Sequence, residues 1–239
     1  LGGFLVFNEK LKTLSGGRIL DVGTGSGQLV KQLVDAFMNF TEIIGIDSSE
    51  RAIEAALKNF TDDKIKFIKM DASSMSFDDN FFDTVCISNT LHHLTEEEMY
   101  KTLKEMKRVL KPGGLFILCE MYKDNQTPKQ LGHVYIHHFG AELDRVKGVT
   151  HNETFDRQDI IDITANIGIT LVDELDYVED GECSNEEINE IINAVGNKLE
   201  GLKNESCYDC LKTKWESVKN HLLNIGLGSA TELILFGRK

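Results

Sequence analysis

Proline is almost absent from this chain: Pro112 and Pro128 are the only two. Long helices and uninterrupted strands are therefore permitted over most of its 239 residues. No apolar run approaches the roughly 18 residues of a membrane span, so no membrane partner is expected. The opening stretch 1–10 lacks the basic start and small-residue cleavage site of a secretory signal. The chain opens on Leu1 rather than Met, and a trimmed native start is expected. Cysteine builds no framework: Cys86, Cys119, Cys183, Cys207 and Cys210 are odd in number and irregularly spaced. Cys86 and Cys119 sit in apolar runs, where cysteine behaves as a small hydrophobe. That usage points to a reducing, cytoplasmic compartment. Basic residues are also scarce, 26 Lys and Arg against 39 Asp and Glu, for a formal net charge of −13. Nucleic-acid binders draw most of their affinity from neutralising phosphates. No nucleic-acid partner is expected, and a small or cationic substrate fits better.

What is present is an alternation of short apolar runs and longer amphipathic stretches. Strands are predicted at 18–22, 42–47, 64–70, 82–88 and 115–121, with helices at 27–40, 49–60 and 95–110. The last helix is the best signalled: Thr95 with Glu98 makes a capping box, and Met99, Leu103, Met106 and Leu110 form one apolar stripe. Strands alternating with helices predict a doubly wound, mostly parallel α/β sheet that binds ligands at the carboxyl ends of its strands. The second half is less regular. Residues 123–150 are polar, histidine-bearing and carry only weak strand signals. A helix is predicted at 156–167, a strand at 169–178, two amphipathic helices at 185–202 and 207–225, and a final strand at 231–237. With no repeat and no low-complexity linker, one domain spanning 1–239 with insertions is the simplest organisation.

The chemistry concentrates in the run Ile19-Leu20-Asp21-Val22-Gly23-Thr24-Gly25-Ser26-Gly27. Glycines at alternate positions let the backbone turn sharply and approach a ligand closely. Such a turn alone would serve a dinucleotide, a phosphate or nothing. Asp21 decides between them. A pyrophosphate over this loop would face a carboxylate, a costly like-charge contact where water is excluded. The α-amino group and sulfonium of S-adenosylmethionine would be stabilised there. Asp47 closes the second strand, 20 positions after Gly27, where an acid can accept from ribose hydroxyls. Asp71, ending the third strand, is placed to accept from an adenine amino group, with the backbone of Ala72 against the ring. Each acid alone would read as a solvated strand end. Three on successive strand ends around one glycine turn favour binding.

In this order the motifs resemble those of the class I S-adenosylmethionine-dependent methyltransferases, in their small-molecule branch. Residues 20–27 resemble the family's first motif, Ile44-Gly45-Ile46-Asp47-Ser48-Ser49 its ribose-binding strand end, and Met70-Asp71-Ala72 its adenine-contacting segment. Ser88-Asn89-Thr90-Leu91-His92-His93-Leu94 is similar to its segment after the fourth strand, and 109–114 to the turn before its fifth. The resemblance covers about 14–120 plus the last strand. It implies a seven-stranded sheet with the final strand antiparallel, and a cofactor site of Asp21, Gly23, Thr24, Gly25, Gly27, Asp47, Ser48, Asp71, Ala72 and Asn89. Asp21, Asp47 and Asp71 would hold the amino group, ribose and adenine, and Asn89 the methionine end. The family usually joins its last two strands by a hairpin. Here 180–229 intervene as helices, which suggests a lid or an oligomerisation element and leaves room for a homodimer. No Asn-Pro-Pro-Tyr run follows the fourth strand, which sets the chain apart from amino-methylating nucleic-acid enzymes.

Histidine is the second concentration. His92 and His93 lie where a methyl acceptor would, and a histidine near its ordinary pKa of about 6.5 can take a proton from an attacking oxygen or nitrogen. Core packing and helix capping are equally good accounts of that pair. His133, His137, His138, Asp144 and His151 crowd one short segment, read as an acceptor pocket in preference to a surface loop. His93, His138 and His151 are the candidate bases or acceptor clamps. The same segment could bind a metal such as zinc, the less favoured alternative because displacement at a sulfonium needs none, and no metal is expected. Cys207 and Cys210, a lone C-x-x-C, read as two thiols on one helix face. The expected reaction is in-line methyl transfer to a small molecule. Its rivals are an NAD-dependent oxidoreductase, disfavoured by Asp21 and by G-x-G-x-G spacing, and a non-catalytic adenosyl-binding protein.

Overall fold

The glycine turn after the first predicted strand lies at the middle of one sheet. In the computed structural model, which describes residues 3–37, 39–179 and 181–239, seven strands are formed. They are β1 (Gly17–Val22), β2 (Phe40–Asp47), β3 (Ile65–Lys69), β4 (Phe82–Ser88), β5 (Leu110–Met121), β6 (Thr170–Tyr177) and β7 (Glu232–Arg238). Their order is β3-β2-β1-β4-β5-β7-β6. All pairs are parallel except those of β7, which runs antiparallel to both β5 and β6. The strand order reverses direction between β1 and β4, and the crevice outside their carboxyl ends is where such sheets bind ligands. Leu1, Gly2, Met38 and Asp180 lie outside the described residues, and with them parts of the 1–10, 27–40 and 180–229 expectations.

Helices α1 (Gly3–Lys12), α2 (Gln28–Ala36), α3 (Glu50–Asn59), α4 (Glu96–Val109), α5 (Pro128–Val146), α6 (Arg157–Asn166), α7 (Asn185–Glu200) and α8 (Tyr208–Ile225) complete the chain, with a 3-10 turn at Leu91–His93. Strand periodicity sorts the core onto two faces. Leu20, Val22, Val85, Ile87, Phe116 and Leu118 pack with α4 and α6 residues such as Leu103, Met106 and Ile160. Ile19, Ile43, Cys86, Ile117 and Phe236 pack on the other face with Phe7, Leu33 and Ile53. Asp21 alternates onto that second face. The capping box of α4 is formed as expected: Thr95 N–H donates to Glu98 Oε2 at 2.9 Å, and Glu98 N–H to Thr95 Oγ1 at 3.3 Å.

Three expectations are corrected. The helix expected over 27–40 ends at Ala36, since Phe37 is already extended and Phe40 opens β2. Residues 111–114, read as a turn, are carried within β5, whose register against β4 slips between Phe82 and Thr84. The segment 123–150 is mainly the 19-residue helix α5. Its start was written in the sequence, because Thr127 caps, Pro128 stands at N1 and Gln130 Oε1 accepts from Thr127 N–H at 2.9 Å. The histidines and glycines between its apolar positions hid the periodicity. Phe139 and Leu143 of α5 build a third core with Leu199, Leu211 and Trp215 of α7 and α8, the Phe139 and Trp215 rings stacking at 5.1 Å.

Candidate active site

A cavity of about 550 Å³ opens at the carboxyl ends of β1, β2 and β4, lined among others by Gly23, Gly25, Asp47, Ser48, Asp71, Ala72, Asn89, Thr90 and His93. Seven of the ten residues expected to hold the cofactor therefore meet in one space. The turn is tied to the neighbouring strand. Gly25 N–H donates to Asp47 Oδ2 at 3.0 Å, Ser49 N–H to Asp47 Oδ1 at 2.8 Å, and Thr24 N–H to Ile46 O at 2.9 Å. Asp71 Oδ1 accepts from the N–H and hydroxyl of Ser73, both at 2.8 Å.

Two glycines have distinct reasons to be glycine. Gly23 has φ 69° and a Cβ there would lie 2.4 Å from Thr90 Oγ1, so the turn is pressed against the segment after β4. Gly25 has φ 54° and its Cβ position meets nothing within 4 Å, leaving bare backbone facing the cavity. Gly27 acts at one remove, as the left-handed cap of α2.

Asp21 and Thr24 stand behind this wall. Asp21 is 1% exposed, Thr24 is buried, and Asp21 Oδ2 and Thr24 Oγ1 have no hydrogen-bond partner in the protein. Burial pushes the Asp21 carboxyl up to about 7, and the charge of Asp47 adds to it. The acid expected on the rim is thus a buried group poised to titrate near neutrality. Asn89 holds the opposite wall with a left-handed backbone, φ 44°. Its Nδ2 donates to Glu232 Oε1 at 2.8 Å, its Oδ1 accepts from Met121 N–H at 3.0 Å, and burial pushes the Glu232 carboxyl up.

The histidines converge only partly as expected. His93 and His151 come together, ring centroids 4.2 Å apart, and His92 and His137 join them. His138 stands apart, with its Nε2 on Thr154 Oγ1 at 3.1 Å and near Thr154 N–H at 3.2 Å. His133 Nδ1 accepts from Ala230 N–H at 3.0 Å and ties α5 to the approach to β7. Partial burial and the neighbouring His92 and His151 rings lower the His93 pKa to about 4, so it is neutral at neutral pH. Sequence reasoning missed Glu120, fully buried, whose Oε1 meets His92 Nδ1 and whose Oε2 accepts from Leu91 N–H at 3.1 Å. The signal was there: an acid inside the apolar run 115–121.

All five cysteines are free, Cys86 and Cys119 buried and Cys210 exposed. Among the described residues no helix is long and apolar enough to cross a membrane.

Residues 19–114 match a family model described as a methyltransferase domain. A demethylmenaquinone methyltransferase of Clavibacter sepedonicus is 36% identical over 108 residues, 45% of this chain and 42% of that one. The chain thus spans less than half the length of this relative. Among solved structures, phosphoethanolamine N-methyltransferase 2 of Haemonchus contortus, in complex with S-adenosyl-L-methionine, superposes with TM-score 0.58 at 19% identity, covering 99% of this chain and 52% of that one. The [4+2]-cyclase SpnF superposes with TM-score 0.62 at 20% identity, covering 98% and 78%. At these identities the likeness is one of fold.

Proposed function

We propose that this chain, whose residues 19–114 match a methyltransferase-domain model, is a class I S-adenosylmethionine-dependent methyltransferase that binds its cofactor in the 550 Å³ cavity and methylates a small molecule. The observation that carries the reading is the meeting of Asp47, Asp71 and the Gly23–Gly25 backbone in one cavity, with Asp21 buried behind the turn. The residues fit that cofactor on two counts: bare backbone at Gly25, and the unpartnered Asp21 Oδ2 and Thr24 Oγ1 beside it. When bound, the cofactor supplies a methyl group already activated by its sulfonium charge.

The chain's own groups then align and exclude water. Asp47 is fixed by two backbone N–H groups and presents its remaining lone pairs to ribose hydroxyls. Asp71 keeps Oδ2 for the adenine amino group, with Ala72 against the ring. Asp21, as carboxylate, offsets an ammonium group, and Asn89 shapes the methionine end. His93 lines the cavity and with His151 walls the acceptor side. His138, held on Thr154, positions the segment between α5 and α6. One domain spans the chain; 123–150 supply the acceptor wall, and 181–229 brace it through α7 and α8.

The fold alone does not fix the reaction, as the cyclase with the same architecture illustrates. Calorimetric titration with S-adenosylhomocysteine and, separately, NADH tests the cofactor. Saturation by the first and none by the second is expected, and the reverse result would refute the reading. Transfer of a labelled methyl group across an acceptor panel tests the reaction. Demethylmenaquinone belongs in the panel because the Clavibacter relative is a demethylmenaquinone methyltransferase.

A further inference from the structure

Four imidazoles from three separate pieces of chain occupy one spot beside the cavity. His92 and His93 come from the 3-10 turn after β4, His137 from α5, and His151 from the segment after α5. One ring nitrogen from each of His92, His93 and His151 lies within 4.8 Å of the other two. Two carboxylates back them from outside: Glu120 Oε1 meets His92 Nδ1, and Asp144 Oδ2 lies 2.8 Å from His151 Nδ1. We propose that His92, His93 and His151 form a binding site for a divalent transition metal of the zinc class, with His137 beside it as a further nitrogen ligand.

The chemistry of the partners argues for this over simple ring packing. A carboxylate on Nδ1 fixes the proton there and leaves the Nε2 lone pair free, the arrangement that metal-bound histidines show in carboxylate–histidine–metal triads. It occurs twice in this cluster. His151 Nε2 also lies 3.2 Å from His137 Nε2. Two nitrogens bound at about 2.0–2.1 Å to one tetrahedral zinc lie about 3.3–3.4 Å apart, close to the spacing of this hydrogen-bonded pair, so an ion can replace the proton between them. Imidazole nitrogens with no thiolate select zinc, copper, nickel or iron over magnesium and calcium. Because His93 also lines the cofactor cavity, the ion would sit at the acceptor wall. This reverses the expectation that the histidines work without a metal, and it stands independently of the methyl-transfer reading.

The test uses the full chain, untagged and freed of metal with a chelator. Zn²⁺ alone is titrated by calorimetry, and Co²⁺ alone is followed by the visible bands of low-coordinate cobalt. One equivalent of tight zinc binding and strong cobalt bands are expected. His93→Ala should abolish both, and Asp144→Asn should weaken zinc about 10–100-fold. His221→Ala, at a surface histidine outside the cluster, should change neither. Zinc affinity unchanged in His93→Ala and in Asp144→Asn, or no saturable zinc binding at all, overturns the proposal. S-adenosylhomocysteine affinity measured on the same samples reports the cofactor reading separately.

Discussion

The side-chain amide of Asn89 is spent on both sides: Nδ2 donates to Glu232 Oε1 at 2.8 Å while Oδ1 accepts from Met121 N–H at 3.0 Å. This single residue joins the end of β4 to β5 and β7 and satisfies a carboxylate that burial has pushed up in pKa. Asn89→Gly keeps the left-handed backbone and removes only the hydrogen bonds, leaving Glu232 without its donor. A loss of about 1–3 kcal/mol is expected, read as a lower urea midpoint at unchanged slope. Asn89→Ala should lose about 1–2 kcal/mol more, for the positive φ. Equal midpoints for wild type and Asn89→Gly would show that the amide does not support Glu232.

Gly23 and Thr90 form a second coupled pair. A methyl at Gly23 would lie 2.4 Å from Thr90 Oγ1 and 2.5 Å from its Cγ2. Gly23→Ala should therefore both strain the turn, by about 1–2 kcal/mol, and push apart the two walls of the cavity. S-adenosylhomocysteine affinity should fall at least tenfold. Thr90→Ala removes the two closest atoms, so the double variant should bind better than Gly23→Ala alone. Strictly additive losses would place the damage elsewhere.

Asp21 gives a pH dependence of definite sign. The folded protein holds its proton up to about pH 7, whereas the unfolded chain releases it near 3.8. Between those values the native state binds more protons than the unfolded one, so stability from this group is full below about pH 4 and is lost as pH rises to about 7. The full span is on the order of 4 kcal/mol. Asp21→Asn cannot titrate, so the difference in unfolding free energy between variant and wild type should grow in the variant's favour from pH 4 to pH 8. Its affinity for S-adenosylhomocysteine should nevertheless drop, because the amide carries no charge to set against an ammonium group. A difference that does not vary with pH would mean that Asp21 is ionised throughout.

Trp215, packed on Phe139, belongs to the core of α5, α7 and α8 and to neither face of the sheet. Trp215→Ala should cost about 3–5 kcal/mol at that core. Hydrogen exchange should rise across α7 and α8 while the strands keep their protection. Uniform exchange over the whole chain would show that the helices and the sheet unfold as one unit.

How far the sequence carried depends on whether a signal is local. The β4 strand at 82–88, the α4 capping box and the helices of the 185–225 region were legible because period and caps act over neighbouring residues. Seven residues that line the cavity were legible because a glycine turn and an acid at each strand end recur at fixed offsets along a parallel sheet. Helix α5 was not, although Thr127, Pro128 and Gln130 announced its start, because histidines occupy positions that apolar residues usually mark. Glu120 was missed for the opposite reason, since one acid within an apolar strand looks like noise until its partner is known.

The alternation of strands and helices, the order of motifs and the glycine turn determined by themselves the kind of sheet this chain forms and the strand ends at which its cavity opens. Tertiary structure alone decided that Asp21 is buried and poised near neutrality. It also decided that His138 turns away to Thr154, and that His92, His93, His137 and His151 meet although up to 59 positions separate them in the chain. Backbone periodicity and caps are short-range and therefore written in neighbouring residues. Burial, the resulting shift in a carboxyl, and the gathering of four imidazoles depend on which elements pack together, and only the assembled sheet and helices settle that.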